Sequence, residues 1–184
     1  MRSDIHNRKK VYMLDRTVDI PIDLYESMKG RYFTAETPLM PVGTRSKAWG
    51  ALINPVRSRV NLHVNVATLN FAYGEPVKLS FYLNAALPGR PRVSRLNAPA
   101  NTAILPLLPP KAKLLYASGV KGEPQEGFFS LSRTAYPGAT TILEKNGKFI
   151  IPPGGNYCAF VDTVFEEQDP SELYLAFGWW EEPV

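Results

Sequence analysis

Several segments of this chain, bounded by proline and glycine, alternate apolar and polar residues with a period of two. Val60-Asn-Leu-His-Val-Asn-Val66 is the clearest case: Val60, Leu62, Val64 and Val66 share one parity, and Asn61, His63 and Asn65 share the other. Val77–Leu83 repeats the pattern. Such a period fits half-buried strands and no helix. Seventeen prolines and 13 glycines then cut the 184 residues into short segments, the punctuation of an all-β sandwich or barrel. Val77–Leu83 is the expected partner of Val60–Val66, across the turn residues Tyr73-Gly-Glu-Pro76. Further strands are expected at 112–117, 128–132, 140–144, 148–151, 157–164 and 173–180. Asn146-Gly147 reads as a type I′ hairpin turn, because both residues tolerate positive φ. Residues 88–110 read as a Pro-rich loop broken by Ala103-Ile-Leu105. The predicted fold is all-β: a two-sheet antiparallel β-sandwich of jelly-roll type.

The N-terminal stretch stands apart. Residues 1–10 are polar, with Arg2, Arg8, Lys9 and Lys10 against Asp4. Tyr12, Leu14, Val18, Ile20, Ile22 and Leu24 then share one parity, against Asp15, Thr17, Asp19 and Asp23. This predicts an extended arm over residues 1–30, with a strand at about 11–20. Residues 21–29 read either as a short helical turn, capped by Asp19, with Pro21 in its first turn and Gly30 past its end, or as continued strand through Ile22 and Leu24; the helical turn is preferred. The body then spans residues 31–184. An amphipathic strand detached from the others is equipped to pair with something outside its own sheet.

Charge is segregated along the chain, whose net charge is +4. Arg45 to Arg95 holds eight basic residues and one acidic; Glu144 onward holds eight acidic and two basic. Opposed blocks favour head-to-tail association and fix its register. Arg57 and Arg59 on one side, and Glu166 and Glu167 on the other, are the expected contact residues. Leu173–Trp180 is apolar on both parities, so Trp179 and Trp180 point to opposite faces. One face packs in the sandwich and the other needs a cover, either a loop of the same chain or a neighbouring subunit, and the second makes these tryptophans candidate interface residues as well.

Chemistry is poorly represented. A nucleophile needs an oriented base. The two histidines, His6 and His63, lie in the charged tail and on a strand's polar face, and Cys158 sits in an apolar run as a small core residue. One cysteine forms no intrachain disulfide or thiolate metal site, and two distant histidines give no ligand spacing. Asp15, Asp19 and Asp23 lie about 13 Å apart on a strand, too far for one calcium ion. Phosphate-binding glycine motifs are absent. Nucleic-acid binding is disfavoured because no aromatics interleave with Arg90, Arg92 and Arg95. An alternative is a glycan-binding or adhesin module, with Trp49 and Trp180 stacking on sugar rings beside Asn61 and His63. No signal peptide and no membrane-length apolar run are present. The expectation is therefore cytoplasmic synthesis and no membrane partner. No cofactor or metal and no enzymatic activity are expected either.

At Ala48-Trp-Gly-Ala-Leu-Ile-Asn-Pro55, Val60–Val66, Ile150-Ile-Pro-Pro-Gly-Gly-Asn156 and Ala176-Phe-Gly-Trp-Trp-Glu-Glu182, the chain resembles a family of small uncharacterised proteins in spore-forming Bacillota, known only as a domain of unknown function. The resemblance covers about residues 40–182 and carries no catalytic residue. In architecture, a jelly roll with an N-terminal extension is also similar to endospore-appendage subunits, which polymerise by lending that extension to the next subunit. Their connectors typically carry cysteines, and this arm has none. The similarity implies a self-assembling subunit whose partners are copies of itself, joined head to tail. It would act outside the cell or on the spore surface, with the arm lent to a neighbour.

Overall fold

The computed structural model describes residues 19–184. A single helix, α1 (Ile22–Met28), precedes twelve strands. They are β1 (Tyr32–Glu36), β2 (Met40–Val42), β3 (Lys47–Ile53), β4 (Val60–Tyr73), β5 (Val77–Leu83), β6 (Arg92–Val93), β7 (Leu96–Pro99), β8 (Lys113–Val120), β9 (Phe128–Ala135), β10 (Thr141–Ile151), β11 (Asn156–Thr163) and β12 (Ser171–Pro183).

Two antiparallel sheets pack face to face. The first runs β10-β4-β12-β1-β7, with β2 also on β12; the second runs β6-β8-β3-β11-β5-β9. β1 and β2 are one strand broken at Thr37-Pro38-Leu39, where Pro38 has no N–H to give to the ladder. Counting them together and setting aside β6, β7 and β8, the eight remaining strands switch sheets at every step except β5 to β9, which is jelly-roll order. The expected all-β sandwich is thus the observed one. β6, β7 and β8 lie in one long insertion between β5 and β9 and extend both sheets on one flank.

Alternation fills the core. Leu62, Val64, Leu69, Leu79, Phe81, Tyr157, Leu175, Phe177 and Trp179 are buried between the sheets. Tyr157 packs its ring on Phe81, Phe149 and Phe177. A second buried cluster, with Trp49, Cys158 and Phe160, lies against Leu87 of the segment that follows β5. Asn54 ties the sheets together: its amide donates to the carbonyls of Val60 (2.8 Å) and Ile151 (2.9 Å).

Several local expectations are corrected. β4 and β5 do not pair; the turn through Gly74 (φ 124°) carries the chain from one sheet to the other. Gly74 packs against Ser171, whose hydroxyl donates to the Glu75 carbonyl and accepts the Glu75 N–H. Asn146-Gly147 is no hairpin. Both residues take the positive φ expected of them (50° and 72°), yet β10 continues along β4 on either side. Glu144 pairs with Val66 and Phe149 with Val64, so the extra residues form a bulge. Both halves of β10 bury the same face against the core, and a hairpin would have sent the second half elsewhere. Residues 88–110 contain β6 and β7, and Ala103–Leu105 is not a strand.

The predicted helical turn is α1. Its N-cap is Pro21, not Asp19, and no side chain caps it; Gly30 (φ 71°) follows its end as expected. Asp23 and Asn65, and Asn101 and Ser27, hold it on the first sheet's outer face. Ile22 and Leu24 are therefore helical and exposed, not part of a strand's apolar face.

Candidate functional site

The short β3–β4 loop and the Tyr73–Val77 turn lie at opposite ends of the sandwich, and the strand registers assign most other loops to one end or the other, while 84–91 and 121–127 run between them. Val60 pairs with Pro183, and Ile53 with both Asn156 and Lys113. This gathers residues 54–59, 100–112, 152–155 and the C-terminus at one end. Tyr73 pairs with Glu172, Ser171 with Val42, and Val77 with Thr163 and Ala135. This gathers residues 43–46, 74–76, 136–140 and 164–170 at the other.

The first end is apolar with basic residues around it. Val56 and Leu105 are each 78% exposed, and Ile104, Leu107, Leu108 and Val184 are also exposed. Prolines at 106, 109 and 110 keep the leucines out of any ladder. Arg57, Arg59, Lys111 and Lys113 are exposed beside them. Arg59 holds a left-handed φ of 59°, and its carbonyl accepts the N–H of Val184. A cavity of ≈ 290 Å³ opens here, lined by Phe33, Val60, Leu108, Pro110 and Pro183 among others. Glu181, another of its lining residues, is buried: its carboxylate accepts the N–H groups of Lys111 and Ala112 and the indole N–H of Trp179. That carboxylate is fully engaged in holding the loop.

The second end is acidic and aromatic. Glu75, Glu166, Glu167 and Asp169 are exposed, with Phe165 (57% exposed), Val164, Tyr73 and Tyr136. Gln168 shapes the β11–β12 loop: its side-chain oxygen accepts the N–H groups of Val164 and Phe165, and its side-chain N–H donates to the Pro76 carbonyl. The linear charge blocks do not survive folding as faces. Arg45 lies at the acidic end, Lys47 is paired with Asp162 (2.7 Å) and Glu123 (3.2 Å), and Glu181 is internal. Arg57 and Arg59 nevertheless stand at the opposite end from Glu166 and Glu167.

The remaining sequence-selected residues fall elsewhere. Tyr12, Leu14 and Val18, with His6 and Asp15, lie outside the described residues. Ile20, Ile22 and Leu24 are exposed at the N-terminal approach to α1 and within it. Trp179 is a core residue beside Phe33, so it cannot form an interface. Trp180 points to the opposite face, as expected, but is only 4% exposed. It stacks on His63 and is covered by the Gly147 bulge, so its cover comes from its own chain. Trp49 is buried and donates its indole N–H to the Pro88 carbonyl. Neither tryptophan offers a face to a sugar ring. The polar ladder is likewise engaged: His63 Nε2 lies 2.9 Å from Glu182, and Asn65 donates to the Tyr32 hydroxyl. Asn61 remains half-buried on the outer face of β4.

Cys158 is fully buried, and desolvation pushes its thiol well above the ordinary range, which suppresses the thiolate. Among the described residues, no group of three or more His, Cys, Asp or Glu side chains could hold a metal ion, and no helix is long and apolar enough to cross a membrane. The exposed leucines at 105, 107 and 108 were missed as site residues. Their signal was an apolar run that never alternates and is interrupted by proline.

Fold and surface together define a jelly-roll sandwich with two chemically opposed ends. Residues 3–184 match the family described as "Family of unknown function (DUF6143)", and the chain belongs to that family. The match includes the N-terminal segment and is therefore wider than the 40–182 read from motifs. No curated protein and no solved structure is detectably similar to the chain.

Proposed function

We propose that this protein is a structural subunit, not an enzyme, that assembles head to tail with copies of itself. The N-terminal arm, with its strand at 11–20, adds to the sheet of a neighbour, and the assembly is a filament outside the cell or on the spore surface. The opposition of the two ends carries this reading. One end offers aliphatic side chains among arginines and lysines; the other offers aromatic side chains among carboxylates. Each apolar group buried in such a contact contributes about 1.5–3 kcal/mol. Charges around it add register and association rate more than affinity. Two unlike surfaces at opposite ends make a heterologous contact, which propagates if rotation does not close it. The spore and filament assignments rest on the family resemblance and the architecture. The glycan-binding alternative has lost its stacking residues to the interior.

Negative-stain microscopy of the full-length protein tests the reading. Linear assemblies are expected at low salt, shortening as salt rises and disappearing when residues 1–18 are deleted. A monodisperse monomer at every concentration and ionic strength would sink it.

A further inference from the structure

The sandwich ends in four terminal strands, β7 and β10 on one sheet and β6 and β9 on the other. Three are protected against pairing. β6 and β7 are two and four residues long, joined by Ser94-Arg95, and carry Arg92 and Pro99. The Ser94 hydroxyl donates to the Glu36 carbonyl on the facing sheet and closes that flank. β10 is broken by its bulge. Short strands, prolines, charges and bulges are the usual devices that blunt an edge. β9 is the least protected of the four: it runs eight residues without proline, with Arg133 as its one charge and a one-residue bulge where Phe81 faces Leu131 and Tyr82 faces Phe129. Phe128 is 69% exposed and Phe129 is also exposed.

The flank beside β9 is incomplete in a second way. Lys145 of β10 is only 8% exposed, with its ammonium 5.2 Å and 5.1 Å from the ring centroids of Phe81 and Phe149. Among the described residues it makes no salt bridge, and the like charge of Arg133 acts on it. Leu131 and Phe149 pack on the core yet stay partly exposed along the same opening. The flank therefore presents an unpaired strand, apolar surface and two cations without a counter-charge.

We infer that β9 is the edge that accepts the arm, and that the donor is residues 11–20 of a second copy. Val11-Tyr-Met-Leu-Asp-Arg-Thr-Val-Asp-Ile20 matches β9 in length, is apolar on one parity and carries two aspartates against one arginine. The short link to α1 favours a second copy over the chain's own arm as donor. A strand ending at Ile20 is two residues from α1, a reach of about 7 Å. α1 lies on the outer face of the first sheet, against Asn65 and Ser27's partner Asn101, whereas β9 belongs to the second sheet, about 10 Å beyond. Pairing between copies spares the arm a crossing from the first sheet's outer face to the second sheet's edge.

The inference rests on the assembly reading, and hydrogen exchange on the full-length chain separates the two. Amides of Phe128–Ala135 are expected to exchange at least about tenfold more slowly in assembled protein than in the Leu14→Asp/Val18→Asp variant, with β7 and β10 unchanged. Assembly that protects β6, β7 or β10 instead overturns β9 as the acceptor and leaves the assembly reading standing. Protection of β9 in a species that sediments as a monomer overturns the second copy as donor. Absence of assembly under all conditions removes the functional reading itself, and this inference with it.

Discussion

The indole of Trp180 lies on the imidazole of His63, with ring centroids 4.9 Å apart and planes 7° from parallel, and the Asn146-Gly147 bulge closes over the indole. A residue that could have been a recognition patch is sealed by a strand irregularity. His63 is fixed in turn by Glu182 and lies 3.3 Å from the Gly147 carbonyl, so bulge, histidine and tryptophan form one unit.

Gly147→Ala tests that unit. The added β-carbon would collide with the indole ring, and φ of 72° disfavours any side chain. The variant should lose about 1–3 kcal/mol in chemical denaturation. Asn146→Gly should change stability by less than about 0.5 kcal/mol, since glycine accepts the same φ.

Reversing charge at one end should break assembly, and reversing it at both should restore it. Arg57→Glu/Arg59→Glu is expected to sediment as a folded monomer at low salt. Mixed with Glu166→Lys/Glu167→Lys, it should recover alternating association in analytical ultracentrifugation. All four side chains are exposed, so each variant should melt within a few degrees of the parent. Failure of the mixture to associate would count against the paired ends.

Lys145 makes stability pH-dependent in a direction set by its burial. Desolvation, and then the Arg133 charge, lower its folded-state pKa below the ordinary 10.5. The unfolded chain therefore holds more protons on this residue over the interval between the two values, and there its contribution to stability rises with pH. Below that interval the folded state carries a buried charge. Lys145→Met should thus stabilise the monomer by about 1 kcal/mol at pH 7. The advantage should shrink as pH rises towards 10.5, measured as the difference in denaturation midpoint between variant and parent.

Cys158 should be inert in the native protein. Full burial and a raised thiol pKa leave it neither accessible nor ionised near neutrality. Labelling by a disulfide reagent is expected only through unfolding, so its rate should follow denaturant concentration and plateau in reagent concentration. A rapid phase in native buffer would show that the β11 environment opens locally.

Local patterns carried a large share of the fold. The period of two at Val60–Val66 and Val77–Leu83 marked β4 and β5 because parity is a property of adjacent residues. It could not say that the two lie in different sheets, since pairing is decided by which faces can be buried together. Asn146-Gly147 shows the same division. Its positive φ was legible, but the choice between a hairpin and a bulge depended on keeping both halves of β10 against β4.

The candidate site divides in a similar way. Arg57, Arg59, Glu166 and Glu167 are recognisable by charge alone, while the sequence cannot say that Trp49 is enclosed or that Trp180 is covered by its own chain, because no local feature reports what covers a ring. By itself, the sequence determined strand periodicity, turn chemistry, the short helix and the poverty of catalytic groups, all set within a few residues. Only the tertiary structure decided which strands share a sheet, which aromatics are enclosed and which charges face each other across the length of the molecule. Those outcomes depend on burying apolar surface contributed by residues far apart in the chain.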